Sequence, residues 1–124
     1  MIKVMHVDGD SETREMVDMV LYLTGEFVVM PCETGAEAVE QLSVFGPEVI
    51  LIDTPPTTSD ASNTVAAIHS KPEFQDTPII FMTPDGTQGN LTALQDAGAA
   101  DVISKPFDPM GLADRIKGAL PAYA

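Results

Sequence analysis

The sequence predicts an α/β fold, an open doubly wound (βα)5 domain with a five-stranded parallel sheet, and three observations predict it. Five short apolar runs rich in β-branched residues recur along the chain, segments with helical spacing separate them, and Gly, Pro and capping residues mark the junctions. A strict β-α alternation of about 25 residues per unit requires right-handed crossovers, so the strands run parallel and helices cover both faces of the sheet.

The elements follow in order. Ile2 to Val7 is the first strand, and Asp10 or Ser11 caps a helix whose Met16, Val20 and Leu23 fall at i, i+4 and i+7. Phe27 to Met30 is the second strand, flanked by Gly25 and Gly35; the next helix carries Ala38, Val39 and Leu42 and ends at Gly46-Pro47. Val49 to Ile52 is the third strand, and Val65 and Ile68 mark the third helix. Thr77-Pro78 opens the fourth strand, Ile79 to Met82, after which Leu91, Leu94 and Gln95 lie on a helix that ends at Gly98. Asp101 to Ile103 is the fifth strand, and Leu112, Ile116 and Leu120 mark the last helix.

With 124 residues, no internal repeat and no linker tract, the chain is expected to form one domain over residues 1–124, with no output domain after it. Hydrophobic residues make up 44% and aromatics 6%, so aliphatic and Met side chains are expected to fill the core, with the seven Met among them. Six Lys+Arg against 19 Asp+Glu give a net charge of −13, which repels phosphate backbones and anionic lipid surfaces. Direct nucleic-acid and membrane partners are thereby excluded from the expectation, whereas a divalent cation or a basic partner suits it. Cys32, the one cysteine, permits neither an intrachain disulfide nor a thiolate zinc cluster. No signal segment and no long apolar run is present, so the expected location is the cytoplasm.

In doubly wound sheets ligands bind outside the carboxyl ends of the strands. Strand one ends in Asp8-Gly9-Asp10, strand three in Asp53, strand four in Thr83 and strand five in Ser104-Lys105-Pro106. Carboxylates gathered on one rim repel one another, and a hard octahedral cation such as Mg²⁺ relieves that repulsion while leaving water positions for a phosphate oxygen. An Asp in such a cluster can attack phosphorus and form an acyl phosphate, with the Lys105 ammonium and the Thr83 hydroxyl positioned to meet phosphoryl oxygens. Neither GxxxxGK[ST] nor GxGxxG occurs, so neither a bound nucleoside triphosphate nor a dinucleotide is indicated. His6 and His69 are expected to be structural, and Glu12, Glu15, Asp18 and Glu26 to form a solvated acidic face.

Val7-Asp8, Asp53 closing Val49-Ile50-Leu51-Ile52, Thr83 closing Ile79-Ile80-Phe81-Met82, and Gly98-Ala99-Ala100-Asp101 leading to Lys105-Pro106-Phe107 give an ordered set that resembles the receiver domain of bacterial response regulators. Thr83 and Lys105 stand 30 and 52 residues after Asp53, the separations expected in that family. The resemblance covers essentially the whole chain and implies the flavodoxin-like, CheY-like sheet order 2-1-3-4-5. It further implies that Asp53 is the phosphoacceptor, fed by a sensor His kinase or a His phosphotransfer protein of a two-component phosphorelay. Mg²⁺ would sit near Asp8, Asp53 and the backbone carbonyl of Pro55, and Thr83 and Lys105 would read the new charge. Phosphorylation would then alter the face formed by the helix around Leu91, the fifth strand and the last helix, and with it a contact to a downstream protein. The implied protein is not an enzyme beyond its own phosphorylation and dephosphorylation.

Four features depart from the family pattern. Gly9 replaces the second of two adjacent acids, which predicts weak Mg²⁺ binding; Asp10 either compensates as a ligand or serves only as the helix cap. Pro84, directly after Thr83, has no N–H to offer a phosphoryl oxygen. The loop after Asp53 has Pro55-Pro56, Thr57 and Ala61 where receivers carry a hydrophobic pair, Pro and Gly, and Val102 stands in place of the aromatic switch residue. A phosphorylation-independent interaction module is the alternative these departures suggest, and Asp8-Gly9-Asp10 gives a remoter likeness to haloacid-dehalogenase-like phosphatases. Homodimer formation is left open by the sequence.

Overall fold

A computed structural model describes residues 1–53, 58–84, 96, 98–105 and 109–120. The elements are β1 (Ile2–Val7), α1 (Ser11–Thr24), β2 (Phe27–Cys32), α2 (Gly35–Phe45), β3 (Val49–Asp53), α3 (Thr58–His69), a short 3₁₀ turn (Pro72–Phe74), β4 (Ile79–Pro84), β5 (Asp101–Lys105) and α4 (Pro109–Gly118). The five strands form one parallel sheet in the order β2-β1-β3-β4-β5, as expected. The helix expected around Leu91, Leu94 and Gln95 lies outside the described residues.

Alternate strand residues face opposite sides, and the core divides accordingly. On one face Ile2, Val4, Leu51 and Met82 pack with Val17 and Leu21 of α1 and with Leu112 and Ile116 of α4. On the other, Met5, Ile50, Ile52 and Phe81 pack with Leu42 of α2 and Ile68 of α3. Central strands buried on both faces explain the unbroken apolar runs Val49-Ile50-Leu51-Ile52 and Ile79-Ile80-Phe81-Met82. Strands β2, β4 and β5 run two residues past the apolar segments that announced them. Parallel pairing needs only backbone groups, and it continues through Thr83 beside Ser104 and Pro84 beside Lys105.

Helix ends obey their local chemistry. Asp10 is the N-cap of α1 and Thr34 that of α2, each side chain accepting from the backbone N–H three residues on. Both helices stop at a glycine in the left-handed region, Gly25 at φ 73° and Gly46 at φ 67°.

The apolar stripe expected on α1 is corrected by one position. Met16 and Leu23 are 46% and 75% exposed, and Val17 and Leu21 are buried in their place. Apolar residues occupy both phases of this helix, so spacing alone does not choose; Val17 and Leu21 are the pair that meets Ile2 and Val4. The Met are likewise divided: Met5 and Met82 are fully buried, whereas Met1, Met16 and Met19 are exposed rather than core filler. His69 is structural, its Nε2–H donating to the Thr77 carbonyl at 3.1 Å.

Cys32 is buried, and that burial, aided by nearby Glu37, raises its thiol pKa from 9.0 to about 11. The native protein is therefore expected to resist iodoacetamide at pH 8 and to react only once unfolded, as mass spectrometry with and without denaturant would show. A raised folded-state pKa also means that stability is fully present below pH 9.0 and falls as pH rises towards about 11, because the unfolded thiol ionises first.

Candidate functional site

Register brings the first two candidates together. Val7 of β1 pairs with Ile52 of β3, so the next residue on each strand is Asp8 on one and Asp53 on the other, with backbones ~4.8 Å apart as neighbouring strands require. Both line one cavity of about 230 Å³ at the carboxyl rim, together with Gly9, Glu33, Thr34 and Thr64. Asp53 is half-buried, and the Asp8 side chain is fully buried.

The surroundings of Asp8 are built by the β1–α1 turn. Its N–H donates to the Cys32 carbonyl at 2.9 Å, extending the pairing with β2, and its Oδ1 accepts from the Asp10 N–H at 2.9 Å. Arg14 Nη1 donates to the Asp8 carbonyl at 2.7 Å and lies 3.9 Å from Glu33 through Nη2. Asp10 caps α1: its Oδ2 accepts from Thr13 N at 3.3 Å and from the Thr13 hydroxyl. It is not among the described residues that line the cavity.

On the other side of β3, Asp53 pairs with Met82, so Thr83 stands one step further along the adjacent strand. Thr83 is buried at the β4 end, beside Ser104. Lys105 closes β5 next to Pro84, so its backbone joins the same rim. Pro55, expected to lend a carbonyl, lies outside the described residues.

A Mg²⁺ ion usually takes one or two carboxylates and keeps several waters, and the paired Asp8 and Asp53 in one cavity fit that donor set. Among the described residues no cluster of three or more acidic, His or Cys side chains is placed to hold a metal ion. Gly9 has no positive φ, and a Cβ there would meet only the Glu33 carbonyl at 3.8 Å, an ordinary contact. The Gly9→Asp variant is therefore expected to fold normally and to bind Mg²⁺ about tenfold more tightly. Equal Mg²⁺ titrations of variant and wild type would show that position 9 does not face the ion.

The strand-end rule, carried to the second strand, would also have pointed to Glu33 and Thr34, which follow Cys32 directly. Arg14 left no such mark, since its role depends on how α1 is rotated. Of the expected solvated face, Glu12, Glu15 and Glu26 are exposed, Glu26 also pairing with Lys117 at 2.9 Å, whereas Asp18 is partly buried and lies 3.4 Å from His6.

A parallel sheet ordered 2-1-3-4-5 is the arrangement of flavodoxin-like and CheY-like domains, and here its carboxyl rim carries paired acids. Comparison with known proteins agrees, and the chain belongs to the response regulator receiver domain family, whose sequence model matches residues 4–117. It is 29% identical over 118 residues to the phosphate regulon transcriptional regulatory protein PhoB of Escherichia coli, covering 95% of this chain and 51% of that protein. It is 28% identical to the chemotaxis protein CheY1 of Helicobacter pylori, covering 94% of each. The structure of the chemotaxis response regulator CheY4 of Vibrio cholerae superposes with a TM-score of 0.84 at 26% identity, covering 97% of this chain and 99% of that one. The chain thus spans about half the length of PhoB and nearly all of the chemotaxis proteins. Receiver domains of this family act in two-component signalling, and the comparisons do not favour the haloacid-dehalogenase-like reading. Among the described residues no helix is long and apolar enough to cross a membrane.

Proposed function

We propose that this receiver accepts a phosphoryl group on Asp53 from a sensor His kinase or a His phosphotransfer protein and signals through protein contacts. The observation that carries the reading is the register that sets Asp8 beside Asp53 in one rim cavity. A carboxylate oxygen of Asp53 attacks phosphorus, the bond from phosphorus to the donor's imidazole nitrogen breaks, and an acyl phosphate forms. Asp8 and Asp53, with the Pro55 carbonyl, would hold Mg²⁺, which when bound offsets charge on the phosphoryl oxygens. The Thr83 hydroxyl donates to one of those oxygens and the Lys105 ammonium balances another. Later attack by water returns Asp53 to a carboxylate, so the chain's chemistry is its own phosphorylation and dephosphorylation, not turnover of a free substrate. The downstream partner docks on the face that includes β5 and α4.

Intact-mass measurement with acetyl phosphate, in Mg²⁺ and in EDTA, tests this. A labile gain of about 80 Da is expected with Mg²⁺ and not with EDTA. No gain under conditions that label an ordinary receiver would overturn the reading in favour of a phosphorylation-independent interaction module.

A further inference from the structure

Ile2, Val4 and His6 form one row on β1, because alternate strand residues face the same side. Ile2 and Val4 pack against Val17 and Leu21 of α1, and an aliphatic residue would continue that row. The third member is His6, with 0% exposure. An imidazole in such a place loses its hydration and recovers it only from polar neighbours. Carboxylates stand on opposite sides of the ring, close to it though not hydrogen-bonded to it: Asp18 Oδ1 on α1 lies 3.4 Å from Nδ1, and Asp8 Oδ2 lies 3.7 Å from Nε2.

We propose that His6 is a positioning residue that ties the Asp8 carboxylate to Asp18, so that the cation affinity of the rim depends on a side chain of α1. The inference rests on the reading of Asp8 as a metal ligand. A second contact supports the same linkage: Arg14 stands one helical turn before Asp18, and it donates to the Asp8 carbonyl at 2.7 Å. One polar stripe of α1 therefore reaches Asp8 twice, its backbone through the Arg14 hydrogen bond and its carboxylate through the closely spaced Asp18 and His6 side chains. Asp18 is 28% exposed, so the row Asp18, His6, Asp8 runs from the surface of α1 to the rim. Groups that orient a metal ligand from behind typically set affinity by about 10–100-fold.

Mg²⁺ titration of the full chain, by calorimetry and by ¹⁵N signals of the His6 ring, tests the linkage in wild type, Asp8→Asn, His6→Leu, Asp18→Asn and the double variant. Mg²⁺ is expected to shift the ring signals with the same midpoint as binding. His6→Leu and Asp18→Asn should each weaken binding about tenfold, and the double variant no further. An effect of Asp18→Asn that persists undiminished in the His6→Leu background would show a through-space charge effect and overturn the linkage. Should His6→Leu fail to fold, the partly exposed Asp18→Asn decides: wild-type affinity, or ring signals unmoved by saturating Mg²⁺ in the wild type, overturns the proposal. Binding that survives Asp8→Asn unchanged overturns the reading of Asp8 itself. Binding lost there but untouched in the other two variants overturns the linkage alone.

Discussion

The Asp53→Asn variant is expected to take up no phosphoryl group from acetyl phosphate and Mg²⁺, against a gain of about 80 Da in the wild type. An amide nitrogen is not a nucleophile towards phosphorus, so the loss is complete rather than graded. The substitution nearly preserves shape at a half-buried position and removes one of two neighbouring negative charges. The variant is accordingly expected to unfold at the same denaturant concentration as the wild type or a higher one. Retained labelling with normal stability would place the acceptor elsewhere on the rim.

Phe81→Ala is expected to have the largest effect on stability. Phe81 has no exposed surface and lies in β4 between Ile52 of β3 and Val102 of β5, in the core face covered by α2 and α3. Its removal leaves a cavity between strands that are fixed by backbone pairing, so the surroundings cannot close over it. Such truncations cost about 3–5 kcal/mol, a large part of the roughly 5–15 kcal/mol that holds a domain together. Urea unfolding should report a fall in that range with an unchanged slope, and a fall of under about 1.5 kcal/mol would mean that the sheet relaxes around the gap.

Much of the fold is legible because each strand is a short β-branched run closed by a turn signal. The runs at Val49 and Ile79 and the helix stop at Gly46 needed no tertiary information. The rim acids were legible for the same reason, since knowing where β1 and β3 end is enough to place Asp8 beside Asp53. The phase of α1 was not. Its apolar residues fall on both sides of the helix, and only packing on Ile2 and Val4 selects Val17 and Leu21. The pairing of His6 with Asp18 depends on that same rotation, so a His inside an apolar strand read simply as structural. Pro84 shows the opposite case: the sequence revealed a missing N–H, and the structure locates it at the end of β4, beside Lys105.

The most direct test of the account traps the phosphorylated carboxyl. Borohydride reduces an acyl phosphate to an alcohol with release of phosphate, so a phosphorylated Asp becomes homoserine, which peptide mass mapping locates. The account predicts homoserine at position 53 after treatment with acetyl phosphate and Mg²⁺, and none at position 8. Homoserine at Asp8 would contradict it, because the nucleophile would then be the first rim acid, and the chemistry that of a phosphatase rather than a receiver.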